Sequence, residues 1–144
     1  MSAETNLSVV HHFDEEVITR HNLAAVDDCM SPNFVDHSVP PGLPPDREGV
    51  KMQFTMFFAA LPDLHAIIHD QVADEHKVVT RKTLRGTHQG DLMGIPPTGK
   101  TVDIEVIDIR AVKDGKITDH WNLVDQLGLL KQLGALPGGE ATHA

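Results

Sequence analysis

The hydrophobic period of the chain changes near its middle. In "TNLSVVHHFDEEVITRHN", Leu7, Val10, Phe13 and Val17 recur every three or four residues, the spacing of one face of an amphipathic helix. Asn22 can cap a short second helix, "LAAVDDCM", which Ser31-Pro32 closes. "NFVDHSV" reads as a short strand, and the prolines of "PPGLPPDREG" forbid regular structure there. Asp46 caps a third helix, "REGVKMQFTMFFAAL", with Val50, Phe54, Phe57 and Leu61 on one stripe. Met52, Met56 and Phe58 widen that stripe, so this helix is expected to be covered on more than one side. Pro62 ends it.

From Leu64 onward the period is two. "LHAIIHDQVA" and "KVVTRKTLRGTH" flank Asp74-Glu75-His76, a hairpin pattern. "KTVDIEVIDIRAV" and "KITDHWNLVD" flank Lys113-Asp114-Gly115, the strongest hairpin signal in the chain. In the first of these strands the apolar set begins on Val102, Ile104 and Val106, then moves to Ile107, Ile109 and Ala111. That reads as a β-bulge, or as a sheet covered on both faces. "QLGLLKQLG" closes the pattern as a helix, and "PGGEATHA" reads as a frayed tail. Helices first and a long antiparallel meander afterwards predict an α+β fold, with helices on one face of a curved sheet. No repeat or linker divides it, so residues 1–144 form one domain, with a flexible tail at about 137–144.

Charge narrows the partners. The chain has 12 Lys and Arg against 21 Asp and Glu, a formal charge of −9 with no compensating basic run. That argues against nucleic acid and anionic membrane, both of which need a basic patch. A lone Cys29 cannot form an internal disulfide and reads as a buried small residue. No apolar stretch reaches about 18 residues, and the first residues carry no basic start or apolar run, so a cytoplasmic protein is expected.

Two motifs are decoys. "GIPPTGKT" matches a phosphate-binding loop in its letters, but Pro96 and Pro97 remove two backbone donors and a strand pattern follows instead of a helix. His65 and His69 are four apart, but on a strand that is about 13 Å, too far for one zinc. A metal held by His37, His88 and His120 from separate strands is a weaker alternative to no metal at all.

Strand alternation gathers the candidate chemistry. His120, Asn122 and Val124 share one face of the last strand; Ile117, Asp119, Trp121, Leu123 and Asp125 share the other. His88 shares a face with Leu84 and Val78, Asp36 with Phe34, and His37 with Val35. A curved sheet under helices encloses a cone-shaped cavity, and such cavities are mostly apolar with a few placed polar groups.

The segments "GTHQGDLMGIPPTGK", "DGKITDHW" and "DQLGLLKQLG", with "SPNFVDHS" after the second helix, resemble the SnoaL-like polyketide cyclases, or ester cyclases, of the nuclear transport factor 2-like superfamily. The resemblance spans nearly the whole chain. It implies a mostly antiparallel, cone-shaped half-barrel with three to four helices and a deep cavity. It also implies homodimers or homotetramers packed through the sheet, and chemistry without cofactor or metal. In the founding cyclases a strand carboxylate is the general acid/base of an intramolecular aldol closure of an anthracycline precursor ester. Its position falls on Asn122, and that of a nearby cavity histidine on Ile107, whereas His88, His120, Asp125 and Glu105 keep polar groups. A slip of one or two positions would place Asp119 or Asp125 there instead.

The catalytic candidates are therefore His88, His120, Asp125 and Asp36. The ligand-binding candidates are His37, Phe34, Glu105, Asn122, Phe54, Phe57 and Trp121. Each has a structural rival: a satisfied histidine for His88 and His120, a helix cap for Asp125, a core or dimer contact for Trp121. Asp103, Asp108 and Asp114 read as solvent and turn residues. Two functions fit: acid/base cyclisation or isomerisation of a small, mostly apolar carbonyl compound, or a non-catalytic binding or dimerisation module.

Overall fold

The computed structural model describes residues 2–135; the tail expected at 137–144 lies outside them. Helix α1 (Ala3–Phe13) begins at Ser2, whose Oγ accepts from the Thr5 N–H at 3.1 Å. The expected helix then continues through a wider π-helical segment, Asp14–Thr19, which buries Asp14, Val17 and Ile18. Such turns are frequent at functional sites. Helix α2 (Ala25–Cys29) is shorter than its pattern, because strand β1 (Met30–Asp36) starts directly after it.

Helix α3 (Arg47–Ala60) is capped by Asp46, which accepts from the Gly49 N–H at 3.1 Å. A Cβ on Gly49 would sit 1.8 Å from the Pro44 carbonyl oxygen, so the proline-rich loop can press on the helix start only at a glycine. The meander follows as β2 (His65–Ala73), β3 (Lys77–Thr87), β4 (Thr101–Lys113) and β5 (Lys116–Val124). Asp114 and Gly115 both have positive φ, 52° and 77°, as a two-residue hairpin turn requires. Helix α4 (Gln126–Leu133) closes the chain. The sheet order is β1-β5-β4-β3-β2, with β1 parallel to β5 and every other pair antiparallel.

Two alternation readings are corrected. Strand β4 has no phase switch: Val102, Ile104, Val106, Asp108, Arg110 and Val112 are all buried on one face. Its pairing with β3 runs without interruption from Thr87↔Thr101 to Lys77↔Ala111. The register shift lies on β5, where Ala111 faces Asp119 and Val112 faces Ile117, leaving Thr118 as an extra residue. That residue turns Ile117 inward, fully buried, away from Asp119 and Trp121 with which simple alternation grouped it.

The core is divided. Phe13, Val26, Met30, Phe34, Val112 and Ile117 belong to one cluster, and Ile18, Leu61, Leu64, Ile104, Leu129 and Leu133 to a second. Residues of both clusters border a single hollow under α3. Among the described residues no helix is long and apolar enough to cross a membrane.

Candidate active site

The hollow is open at its mouth and holds about 70 Å³, small beside the roughly 300–1,000 Å³ of typical small-molecule sites. Phe34 of β1 and Phe54 and Phe57 of α3 form part of its apolar wall, as the sequence suggested. The expectation that α3 is covered on more than one side is corrected: Phe54 and Phe57 are half-buried and line the cavity, whereas Met52 and Met56 are 48% and 63% exposed.

The floor is polar and comes from inward positions of four strands. β1 supplies Asp36, β5 supplies His120 and Asn122, β3 supplies Lys82, and β4 supplies Asp108 and Arg110. His120 stands opposite Arg110, and Asn122 opposite Asp108, in the β4–β5 register. The His120 Nδ1 lies 3.1 Å from Asp36 Oδ1, and its Nε2 lies 4.0 Å from Asp108 Oδ2. Asp36 is further fixed by the Ser38 N–H, which donates to Oδ1 at 3.0 Å. Burial pushes the Asp36 carboxyl up, but the hydrogen bond and charge of His120, with help from Ser38 and Arg110, bring it below its usual value.

Beneath this pair lies a buried ionic cluster. Lys82 Nζ donates to Asp14 Oδ1 at 3.1 Å and lies 2.8 Å from Asp108 Oδ2. Arg110 Nη1 donates to the same Asp14 oxygen at 2.8 Å, and Nη2 lies 3.5 Å from Asp108. Burial raises the Asp108 carboxyl, but Arg110 and Lys82 outweigh it, and its pKa falls from 3.8 to about 2. Asp108 is therefore no solvent residue: it is 1% exposed and belongs to the cavity floor.

The remaining candidates lie elsewhere. His88 is fully buried outside the cavity lining and anchors the loop before β4: its Nδ1 accepts from the Thr98 N–H at 3.2 Å, and its N–H donates to the Lys100 carbonyl at 2.8 Å. Asp125 caps α4, accepting from the Gly128 N–H at 2.8 Å, and borders a shallow depression on the outer sheet face. Glu105 borders the same depression and accepts from Thr83 Oγ1 at 2.7 Å. Outside the cavity lining, His37 pairs with Asp119 at 2.8 Å and stacks on Trp121 with ring centroids 4.6 Å apart. His37, His88 and His120 thus occupy three separate surroundings.

Sequence reading missed Asp14, Lys82, Asp108 and Arg110. The signal was present: each occupies an inward position of an apolar pattern, Lys82 between Val78 and Leu84, Asp108 and Arg110 between Val106 and Val112, Asp14 between Val10 and Val17. Opposite charges at inward positions of neighbouring strands can satisfy one another, so they need not mark a solvent face.

A family model described as SnoaL-like polyketide cyclase matches residues 8–133. The aklanonic acid methyl ester cyclase DnrD of Streptomyces peucetius is 42% identical over 57 residues, 40% of this chain and 39% of that protein. The nogalonic acid methyl ester cyclase of Streptomyces nogalater is 43% identical over 51 residues, 35% of this chain and 38% of its own length. Both alignments therefore span well under half of the relative. TsrD from Streptomyces laurentii superposes with a TM-score of 0.85 at 28% identity, covering 94% of this chain and 99% of TsrD. The α+β half-barrel is that of the SnoaL and nuclear transport factor 2-like fold, and the chain belongs to the SnoaL-like polyketide cyclase family.

Proposed function

We propose that this protein closes a ring in a polyketide-like ester by cofactor-free acid/base chemistry, with His120 as the proton-transfer group. The observation that carries the proposal is the Asp36–His120 pair at the floor of an apolar cavity. With Asp36 accepting from Nδ1–H, the imidazole turns Nε2 toward the cavity side of Asp108 as the proton acceptor. A C–H flanked by carbonyl groups is acidic enough for such a base. Its proton passes to Nε2, its electron pair becomes an enolate, and the enolate carbon attacks a second carbonyl of the same molecule. The resulting alkoxide takes the proton back from Nε2, so the reaction is a net isomerisation.

Asn122 supports this reading despite standing where the resemblance places a carboxylate. An amide cannot take a proton from carbon, but its N–H group can donate to the enolate oxygen. Its side chain makes no hydrogen bond among the described residues and lines the cavity. Asp108, opposite it, is a poor substitute base, because Arg110 and Lys82 hold its carboxylate ionised and engage its Oδ2. Its charge serves better to stabilise the imidazolium that forms 4.0 Å away. The cyclases named above support a polyketide-like ester as substrate.

We also propose that the protein is a homodimer or homotetramer packed through the outer sheet face. Leu123 is 81% exposed there, directly across from Ile107 at 49%, and exposed apolar pairs of this kind mark contact surfaces.

Aklanonic acid methyl ester is the probe of choice, with cyclised product followed by chromatography. His120→Ala is expected to lower kcat by about 100-fold or more while leaving the melting temperature close to wild type. Saturable binding of the ester with no product from wild type would leave the binding-module reading in its place, and full turnover by His120→Ala would assign the proton transfer to another group.

A further inference from the structure

We infer that Lys82 is a third catalytic residue of this cavity, donating a hydrogen bond to the enolate oxygen beside Asn122; the inference rests on the cyclisation reading above.

Lys82 is a costly residue for its position. It lies in the middle of β3, 2% exposed, on the face of Val78 and Leu84. A buried ammonium loses its hydration, and apolar residues of similar volume often serve stability as well as a buried ion pair does. Its two carboxylate partners do not depend on it alone, because Arg110 contacts both Asp14 and Asp108. Lys82 balances the second carboxylate of the cluster, but packing gives no reason to bury charges here at all.

Geometry gives one. An ammonium group carries three donors. Two are directed to Asp14 and Asp108, and the third has no partner among the described residues. The side chain lines the cavity, whereas Asp14 does not and grips the ammonium from behind. Lys82 Nζ and His120 Nε2 both neighbour the same oxygen, Asp108 Oδ2, at 2.8 and 4.0 Å. Asn122 stands across from Asp108 in the sheet. A carbonyl whose α-carbon is seated at Nε2 can thus place its oxygen between the Lys82 ammonium and the Asn122 amide. As the α-proton moves to His120, the electron pair moves onto that oxygen, where a fixed charge in a dry site stabilises it strongly. When the new carbon–carbon bond forms, the charge passes to the alkoxide and the enolate oxygen becomes a carbonyl again.

The test uses two variants of the full chain with aklanonic acid methyl ester, reading kcat, KM, exchange of the substrate α-proton in deuterated water, and melting temperature. Lys82→Met removes the donor and leaves Asp14 and Asp108 sharing Arg110, so it is expected to melt lower. Lys82→Met with Asp14→Leu removes one charge of each sign and is expected to melt near wild type. Both are expected to lose about 100-fold in kcat and in exchange rate, with KM within about threefold. A double variant that regains both the melting temperature and kcat assigns Lys82 a structural role and overturns the inference. A wild-type protein that binds the ester but neither exchanges nor cyclises it overturns the His120 reading, and this one with it. Turnover by wild type and by both variants alike leaves the His120 reading standing and removes only Lys82.

Discussion

Asp108 shows how much one charged side chain contributes when it is buried among opposite charges. Arg110 and Lys82 lower its pKa to about 2 against the upward push of burial. The folded carboxyl therefore binds its proton less tightly than the unfolded one, whose value lies near 3.8. Its contribution to stability is complete above that unfolded value and is lost as pH falls from about 4 to about 2. Asp36 is lowered as well and acts in the same direction. Urea denaturation at a series of pH values is expected to show wild type weakening steeply across that acid window. Asp108→Asn is expected to be less stable at neutral pH and flatter below pH 4. A variant whose acid slope equals that of wild type would place the titrating group elsewhere.

At the scale of elements, local signals were readable and long-range pairing was not. Asp46 and Asp125 cap helices, Pro62 follows one, and Asp114-Gly115 turns a hairpin, as their chemistry dictates over a few residues. The parallel pairing of β1 with β5 joins residues far apart in sequence, and no local pattern encodes it. Strand β4 was misread for a different reason. A rule that recognises only apolar residues as inward meets Asp108 and Arg110, and moves the inward face to Ile107 and Ile109. The same rule hides part of the candidate site: His120, Asp36, Asn122 and the three phenylalanines sit on legible faces, whereas Lys82 and Asp14 are charged residues at inward positions of apolar patterns. Thr118 is an element-level device: as the extra residue of β5 it lets Ile117 and His120, three apart, both face inward. Deleting it leaves Ile117 next to Asp119, so regular alternation and the Val112–Ile117 pairing still point Ile117 into the core. The deletion is therefore expected to shift stability by less than about 1 kcal/mol in urea denaturation. A loss of about 2 kcal/mol or more, the cost of exposing a buried isoleucine, would show that the extra residue is needed to hold Ile117 inward.

The whole molecule spends its single sheet on two tasks. The inner face carries a charged floor under a hollow, and a hollow forfeits the packing that a filled core of the same length would have. The outer face carries Leu123 and Ile107 in the open, with Trp121 beside them on β5 and Val72 on β2 exposed as well. A monomer would leave that apolar surface in water while also lacking a filled interior. In the proposed assembly the sheet contact buries it without touching Asp36, His120 or Lys82, which project to the opposite side, and stability would depend on protein concentration, because a partner binds only the folded state. Leu123→Lys places a charge at the centre of this contact. Sedimentation velocity is expected to show wild type as a dimer or tetramer at micromolar concentration and the variant shifted to monomer, its dissociation constant raised about tenfold or more. Because the cavity lies on the other face, the variant is expected to bind the proposed polyketide-like ester as wild type does. A wild-type protein that sediments as a monomer at tens of micromolar, or a variant that assembles unchanged, would mean that the exposed apolar pair on the sheet serves no second copy.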